Sequence, residues 1–340
     1  MRNIQALALA CALASGAAFH FWGPHARRRP LVGGVRRPAF SLGVNYPWLD
    51  YGSDFGSSAW GHGGVSEPRE RARLTADLAR IRAAGAGTVR WFVMCDGRSA
   101  PEFDRRGRVT GFDNYFYKDL DAALDAARAS GVRLVLVLFD YRLLDPETVI
   151  KGAALGGHAA LLTDPQVRSS LFDHALIPLL KRYGSRPEIK AWEIMNEPEW
   201  RTGAGGVPWP AMRDFVGKTA ALVHAYASQP VTVGSASSAF LPLWKGLGLD
   251  FYEYHYYPEL RASLSFDPLD LKLDRPCVLG EFPTAGPLPP SSYLDAALRN
   301  GLAGAWAWSW RSGDAYSDMA GALLDFSDWR LRHAAVLRVR

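Results

Sequence analysis

Cysteine is scarce in this sequence, with 3 among 340 residues. Cys11 lies in the apolar N-terminal segment, Cys95 follows one predicted strand, and Cys277 opens another. In a parallel sheet, the end of one strand and the start of another lie at opposite edges, so Cys95 and Cys277 should be far apart. A disulfide requires Cα atoms about 5.5 Å apart. We therefore expect Cys95 and Cys277 to be free thiols.

The chain also lacks the short motifs of several enzyme classes. It has no H-E-x-x-H, no cysteine or histidine pair with the spacing of metal ligands, no G-x-S-x-G and no glycine-rich phosphate loop. These absences exclude the common zinc hydrolases, esterases and nucleotide-dependent enzymes. We expect no metal, no cofactor and no nucleotide partner.

Charge of one sign is in modest excess, with a formal net charge of +5 and a pI of about 9.1. Much of the excess is arginine near the two ends of the chain: Arg27, Arg28, Arg29, Arg36, Arg37, Arg330, Arg332, Arg338 and Arg340. No aromatic residues alternate with a basic run inside the domain, as they would in a nucleic-acid-binding surface. We expect solvated termini, no nucleic acid partner and a monomer.

The N-terminal segment 1–18 has the pattern of an export signal. Arg2 precedes a mostly apolar stretch, and small residues follow it at positions 14–18. The apolar stretch is shorter than the roughly 20 residues of a membrane span. We expect an exported protein, periplasmic, extracellular or membrane-anchored, with a basic linker over 19–38. Cleavage, lipidation at Cys11 and an uncleaved anchor all remain open at this point.

From residue 39 onward, strand-like and helix-like segments alternate. Eight strands are predicted at 41–48, 88–94, 132–139, 189–195, 231–235, 249–257, 277–282 and 304–310. Helices are predicted at 68–84, 117–130, 164–183, 210–228, 292–303 and 328–337, with short ones at 240–247 and 267–273. Repeated βα units form a parallel sheet, and eight of them predict an α/β fold with a single (β/α)8 TIM barrel over 39–340. An open sheet is disfavoured because no glycine-rich loop follows the first strand.

Two carboxylates stand where predicted strands reach the barrel mouth. Glu197 follows the fourth strand between Asn196 and Pro198, and Glu281 ends the seventh. Such a pair suits glycoside cleavage, in which one acid protonates the leaving oxygen and the other carboxylate attacks or activates water. By contrast, we expect Glu193 to be a structural partner of an inward cation and Glu199 to be solvated.

A resemblance becomes specific at these residues. The chain resembles glycoside hydrolase family 5 (cellulase-like) and its clan A. The resemblance is carried by Asn196-Glu197-Pro198, Val278-Leu279-Gly280-Glu281, Arg90, His255-Tyr256-Tyr257 and Trp308. It implies a retaining double displacement on a β-linked glycan, with Glu197 as acid/base and Glu281 as nucleophile. It also implies that Arg90 lies beneath the nucleophile and that Trp308 is a sugar platform.

The third strand departs from the family pattern. Many members carry a histidine there, whereas this chain has Asp140. Either Asp140 makes a polar contact near the cleaved sugar, or this part of the site differs. The departure leaves the glycan open among glucan, mannan and other β-linked chains.

Physical chemistry suggests the roles of the assisting residues. Arg90 is expected to hold Glu281 ionised, or alternatively to pair with Glu193 or Glu253. Tyr257 is expected to donate to the nucleophile, and His255 to bind a sugar hydroxyl or tune a carboxylate, while Asn196 is expected to hold a sugar 2-hydroxyl.

Tryptophan is abundant, with 12 residues. Indole rings stack on the C–H faces of sugars. Mouth or loop positions are predicted for Trp48, Trp60, Trp200, Trp209, Trp308 and Trp310, and core positions for Trp192, Trp306 and Trp329. The loops 51–64 and 201–206 are expected to wall the cleft.

The sequence thus predicts a retaining β-glycosidase whose two carboxyl groups lie about 5–5.5 Å apart. Two alternatives remain at this point. One is an exo-acting β-glycosidase of the same clan, and the other is a carbohydrate-binding barrel that no longer catalyses.

Overall fold

A computed structural model describes residues 39–257, 270–311 and 313–337. The predicted export signal (1–18) and linker (19–38) lie outside these ranges. The chain from Ala39 onward forms one compact unit. Within the described ranges, no helix combines the length and the apolar character that crossing a membrane requires.

Eight parallel strands close into a barrel, which confirms the predicted fold. We number these strands β1 to β8 along the chain. They are β1 (Ser41–Asn45), β2 (Thr88–Phe92), β3 (Arg133–Asp140), β4 (Ile189–Asn196), β5 (Val231–Ser235), β6 (Tyr252–His255), β7 (Cys277–Pro283) and β8 (Gly304–Trp308). Each strand pairs with its neighbours in chain order, and β8 pairs with β1 to close the ring.

The strands form because their residues are apolar on both faces, as a sheet covered by helices requires. In β3, Leu134, Leu136 and Leu138 belong to the main core, where the sheet meets the helices. Val135, between the first two, belongs to a separate cluster with side chains from three other strands: Ala191, Val278 and Trp306. That cluster is a layer of the barrel interior, which is therefore packed below the mouth.

The helices follow the predicted order, with shifted boundaries. They cover Pro68–Ala83, Asn114–Ser130, Ala160–Thr163, Pro165–Leu171, Ile177–Tyr183, Trp209–Tyr226, Pro290–Arg299, Met319–Arg332 and Ala334–Leu337. The predicted helix 164–183 is real, but Phe172–Leu176 forms a π-helical turn within it. Its N-cap is Asp164, whose side chain accepts from the backbone N–H groups of Gln166 and Val167.

Three other helical segments compare with the prediction as follows. The short helix predicted near 240–247 is present as a 3-10 helix, Ser238–Trp244. Of the short helix predicted at 267–273, residues 267–269 lie outside the described ranges, and residues 270–273 contain no helix. The last long helix begins at Met319, nine residues before the predicted start at 328, because the Asp318 side chain caps it by accepting from Gly321 N–H.

Three short hairpins in the loops after β1, β2 and β3 were not predicted. Their strands are Ser57–Ser58 with Gly61–His62, Glu102–Phe103 with Val109–Gly111, and Thr148–Ile150 with Ala153–Leu155. Strands of two or three residues are too short to show an alternating pattern. All three hairpins lie on the carboxyl-terminal face of the barrel, where sites of such barrels form.

Cys95 and Cys277 are buried and free. This confirms the expectation that the two thiols are unpaired.

Candidate active site

The structure brings Glu197 and Glu281 together at the barrel mouth. Glu197 directly follows β4, and Glu281 lies in β7. One oxygen of each carboxyl and one nitrogen of His255 lie within 4.8 Å of one another. The two carboxyl groups are therefore close enough to act on one glycosidic bond.

The backbone aims the Glu197 carboxyl into the mouth. Glu197 has a left-handed conformation (φ 45°, ψ 50°), and Pro198 begins a 3-10 helix, Pro198–Arg201. Glu197 N–H donates to Gly234 O at 2.7 Å, which ties the end of β4 to β5. Trp200, one turn later, donates its Nε1–H to Glu197 Oε2 at 2.8 Å.

Burial raises the pKa of Glu197 to about 7. The hydrogen bond from Trp200 and the charge of Arg90 act in the opposite direction, because both favour the ionised form. Near neutral pH the carboxyl is therefore poised between its two protonation states, as a group that gives and then takes a proton must be.

Glu281 is held by two donors. Arg90 Nη1 contacts its Oε1 at 2.5 Å, and the Tyr257 hydroxyl donates to its Oε2 at 2.7 Å. Burial raises the pKa of Glu281, while His255, Arg90 and Tyr257 lower it. The carboxylate is thus fixed in orientation, with its negative charge stabilised by a cation and a hydroxyl.

Arg90 serves more than one carboxylate. It makes a bidentate pair with Glu193, with both N···O distances at 2.6 Å, which confirms the structural role predicted for Glu193. Its Nε also lies 3.2 Å from Glu253 Oε1. Arg90 therefore makes both of the contacts expected as alternatives, one with Glu281 and one in an interior ion pair with Glu193, because the guanidinium has five N–H donors.

Two glycines make room for these acids. A Cβ on Gly234 would lie 2.2 Å from Glu193 Oε1, and one on Gly280 would lie 2.2 Å from Glu253 Oε1. Burial, followed by the charge of Glu193, raises the pKa of Glu253 well above its ordinary value. Burial thus disfavours the charged form of Glu253, although its Oε1 lies near the Arg90 guanidinium.

His255 joins the two carboxyl groups. Its Nδ1 lies 2.7 Å from Glu197 Oε1 and 3.6 Å from Glu281 Oε1. Burial lowers the pKa of His255 to about 4, although the charge of Glu281 opposes this change. The imidazole is therefore neutral at working pH and tunes Glu197 as a hydrogen-bond partner.

Among the described residues, Glu197, His255 and Glu281 form the group whose ligand atoms are close enough to hold a metal ion. Each carboxyl already has protein donors, from Trp200 on one and from Arg90 and Tyr257 on the other. The Arg90 guanidinium against Glu281 also repels a cation. The donor set therefore fits proton transfer and nucleophilic attack better than metal binding.

Asp140 and Asn196 are paired neighbours at the ends of β3 and β4. Asn196 Oδ1 accepts from Arg90 Nη2 at 2.8 Å, so this oxygen is already occupied. Asp140 Oδ2 accepts from the Tyr51 hydroxyl at 3.2 Å. Burial raises the pKa of Asp140 to about 6, against the backbone N–H of Arg142, which lowers it. Asp140 is thus a third ionisable acid near Glu197 and Glu281. It stands where many members of the family that the sequence resembles have a histidine.

The predicted tryptophans divide into two groups. Trp48 and Trp308 pack edge to face at 6.1 Å, in a cluster that also includes Tyr257, the donor to Glu281. Trp200 contacts Glu197 directly. Trp60 is not with them: it is 44% exposed on the first hairpin. The core positions of Trp192, Trp306 and Trp329 are confirmed, because all three are fully buried.

The loop position predicted for Trp209 was wrong, because Trp209 is the first residue of a helix and packs against Trp244, with ring centroids 5.8 Å apart. Trp310 follows the end of β8, as predicted. Its half-buried ring packs against the main core, and the Arg80 guanidinium covers it.

The expected solvation of Glu199 was also wrong. Its carboxyl is buried and accepts from the Ser235 hydroxyl at 2.5 Å, from Ala236 N–H at 3.1 Å and from Trp244 Nε1–H at 3.0 Å. Burial raises its pKa to about 7. The donors come from β5 and the 3-10 helix after it, 36 to 45 residues away, so no local pattern signalled them.

Tyr51 was missed as a site residue. It packs edge to face on Trp48 at 4.9 Å and bonds Asp140. The buried Asp54 carboxyl holds this loop by accepting from the backbone N–H groups of Leu49 and Asp50 and from the Trp91 indole. The available signal was its place in the loop 51–64, which was expected to wall the cleft.

No protein-family model matches the chain. Among curated proteins it is similar to a mannan endo-1,4-beta-mannosidase of Cryptopygus antarcticus, 26% identical over 90% of this chain and 86% of that protein. A protein of the same name from Mytilus edulis is 27% identical over 79% and 83%.

Among solved structures, an endo-1,4-beta-mannanase of Eisenia fetida superposes with a TM-score of 0.73 at 25% identity, over 86% of this chain and 91% of that one. The Cryptopygus antarcticus beta-1,4-D-mannanase gives a TM-score of 0.71, also at 25% identity, over 85% and 89%. With the closed barrel and the paired carboxyl groups at its mouth, these similarities show a retaining β-glycoside hydrolase that acts on a β-linked polysaccharide, consistent with the resemblance of the sequence to family 5 of clan A.

Proposed function

We propose that the chain is an endo-β-1,4-mannanase in which Glu281 is the nucleophile and Glu197 the acid/base. The observation that carries the proposal is the position of the two carboxyl groups, with oxygens within 4.8 Å at the barrel mouth. Their surroundings differ as the two roles require, since the acid must carry a proton and the nucleophile must be ionised. Glu197 has a pKa raised to about 7, whereas Glu281 is held by a guanidinium and a hydroxyl.

In the first step, Glu281 attacks the anomeric carbon while Glu197 donates its proton to the leaving oxygen. The covalent ester carries no negative charge, so the pKa of Glu197 falls and the group becomes a base. In the second step, Glu197 takes a proton from a water molecule. The water oxygen attacks the anomeric carbon and breaks the ester bond, which restores the Glu281 carboxylate. His255 and Trp200 keep the Glu197 carboxyl in place through both steps.

Mannan is the proposed substrate because the relatives that cover most of the chain are named for it. A panel of β-mannan, β-glucan and β-xylan, with analysis of products, tests this part. We expect oligosaccharides of several lengths from mannan. Release of monosaccharide alone would instead indicate exo action, and hydrolysis of glucan alone would overturn the substrate.

Glu197→Gln and Glu281→Gln test the two roles. Each is expected to lower kcat on mannan by orders of magnitude while the chain stays folded. Glu70→Gln, the same change on the first helix, is the control. A 2-fluoro mannoside with a good leaving group should label Glu281 covalently in the wild type and leave the Glu281→Gln variant unlabelled.

The two variants should also differ from each other. An activated aryl leaving group needs little protonation, so Glu197→Gln should still form the ester with such a substrate, and azide should speed its breakdown. Glu281→Gln should do neither. Normal turnover in either variant would remove that residue from the mechanism. A non-catalytic barrel predicts neither labelling nor turnover.

We propose export as well, with 1–18 as signal or anchor, 19–38 as a basic linker and 39–340 as the catalytic domain. The support is the sequence pattern of the N-terminal segment. Fractionation of producing cells and N-terminal sequencing of the mature chain test the proposal, and a cytoplasmic product with an intact Met1 would contradict it. The proposed monomer is tested by light scattering.

A further inference from the structure

Two hairpins at the barrel mouth expose large apolar side chains together. Trp60 is 44% exposed, Val149 62% and Ile150 45%. Trp60 Nε1–H donates to the carbonyl oxygens of Ile150 and Lys151, at 3.2 Å each. The hairpins after β1 and β3 therefore form one patch, which we call the Trp60 surface (Trp60, Val149 and Ile150).

A line of ring contacts connects the catalytic centre to this surface. Trp308 packs against Trp48, and Trp48 packs against Tyr51. The Arg98 guanidinium then lies over both the Tyr51 ring at 4.9 Å and the Trp60 ring at 5.4 Å. At its inner end, Trp308 shares a cluster with Tyr257, whose hydroxyl bonds Glu281. The Trp60 surface is thus the outer end of an aromatic path that begins beside Glu281.

A groove of about 480 Å³ follows the same path. Its walls include Trp48, Tyr51 and Arg98 toward the centre, and Thr148 and Ile150 at the outer end. The groove therefore adjoins the Trp60 surface at Ile150, which belongs to both.

The charged groups of the groove are paired. Arg98 bonds Asp96 at 2.6 Å, and Arg142 lies 3.6 Å from Asp145. With each cation neutralised by an acid, the groove has no excess of one sign to attract an ionic ligand. Aromatic rings beside fixed polar groups instead match a neutral sugar, which has apolar C–H faces and a rim of hydroxyls.

We propose that the Trp60 surface is a distal carbohydrate-binding site that holds hexose units of the substrate chain several units away from the cleaved bond. This inference rests on the proposed function, since the occupant is a further part of the same β-linked glycan. Its two carbonyl bonds fix the Trp60 indole before substrate arrives, so little side-chain freedom is lost on binding.

Kinetics with long and short substrates test the site. We compare kcat/KM for soluble β-1,4-mannan chains and for mannotetraose in the wild type, Trp60→Ala and Ile150→Ser. The ratio of long to short is expected to fall roughly fivefold in Trp60→Ala, as loss of one aromatic platform implies, and by less in Ile150→Ser. Tyr226→Ala, an exposed aromatic at the far end of a helix, is the control and should keep the wild-type ratio.

Binding gives a second readout that does not depend on turnover. In the inactive Glu197→Gln background, Trp60→Ala should weaken binding of mannohexaose by a similar factor and leave that of mannotriose little changed. An unchanged ratio and unchanged affinity, or equal losses for long and short chains, would overturn the site.

Failure of the proposed function gives a different result. If the wild type cleaves no mannan but hydrolyses another β-glycan, mannan is the wrong substrate, and the long-to-short comparison is made with that glycan. If Trp60→Ala still lowers the long-to-short ratio of kcat/KM with that glycan, the distal site is supported. If the ratio is unchanged, the distal site is rejected.

Discussion

Single hydrogen bonds distinguish the two carboxyl groups of the site. Trp200 donates to Glu197, whereas Tyr257 and Arg90 donate to Glu281. Each donor favours the ionised form of its own acceptor. Removal of one donor should therefore move one side of the pH–activity profile and leave the other side nearly in place.

Trp200→Phe should shift the basic side of the kcat/KM profile. The variant loses the donor that stabilises ionised Glu197, so the pKa of this carboxyl rises above about 7 and the acid form persists to higher pH. We expect a displacement of about one pH unit, since a hydrogen bond to a charged group contributes about 1.5–3 kcal/mol. Trp209→Phe is the control, and a basic limb that stays in place or moves to lower pH would contradict the assignment.

Tyr257→Phe should instead shift the acidic side. Without the hydroxyl, the pKa of Glu281 rises further, so the nucleophile is protonated at higher pH and activity is lost sooner on acidification. We also expect kcat to fall about tenfold or more, because the carboxylate loses one of its two positioning donors. Tyr252→Phe makes the same change at the other end of β6, where its hydroxyl bonds Asp274, and should leave both limbs unchanged.

Sequence reasoning predicted the residues around these carboxyl groups better than their roles. Arg90, His255 and Tyr257 all lie where the pattern placed them, in contact with Glu197 or Glu281. The burial of Glu199 and the raised pKa of Glu253 were not predictable, because both depend on side chains that only the closed barrel brings near.

At the scale of elements, the interior of the barrel depends on small residues in the strands. Gly234 in β5 and Gly280 in β7 lie against the Glu193 and Glu253 carboxyl groups. Neither has the backbone conformation that requires glycine. Their function is therefore to leave space, and larger residues there would displace the acids that surround Arg90.

Gly280→Ala tests this packing. Its Cβ would lie 2.2 Å from Glu253 Oε1 and 2.6 Å from Glu253 Cγ, and that side chain is fully buried. We expect the free energy of unfolding to fall by about 1–3 kcal/mol, as overpacking does, measured by urea denaturation. Gly217→Ala is a matched control. Its nearest neighbour would lie at 3.7 Å in the middle of a helix, so the same change should be neutral or slightly stabilising. Equal effects of the two substitutions would contradict the argument.

Element prediction succeeded where a pattern was long enough to read. The eight strands are largely buried on both faces and alternate with helical segments along the chain, so all of them were located from the sequence. The three hairpins were missed because each strand has only two or three residues and is held by its partner across a turn. The same holds for the site. The part formed by the strand ends was predictable from the sequence, and the part formed by the hairpins was not.

For the whole molecule, buried acids link stability to pH. Burial raises the pKa of Asp54 and of Glu199 to about 7, so the folded chain holds protons that the unfolded chain has released. Stability from such groups is present at low pH and is lost as the pH rises through the folded value. Burial lowers the pKa of His158 and of His255 to about 4. These two histidines make stability rise with pH, but only below about pH 6.5, the ordinary pKa of histidine, because above it they are neutral in the unfolded chain as well.

The melting temperature should therefore fall between about pH 6.5 and pH 8, where the histidines no longer contribute. Differential scanning calorimetry across this range measures the slope. Glu199→Gln removes one of the titrating groups and should give a shallower slope, whatever its effect on the absolute melting temperature. A melting temperature that is constant or rises over this range would contradict the prediction.

The left-handed backbone of Glu197 has a consequence for how this protein responds to selection. A non-glycine residue in that region is strained by about 1–3 kcal/mol, and here it also carries a carboxyl group removed from water. Glycine at this position would relieve both burdens and abolish the acid. A library screened only for resistance to heat should therefore enrich inactive variants substituted at residue 197. At this position, a substitution that raises thermal stability removes catalytic activity.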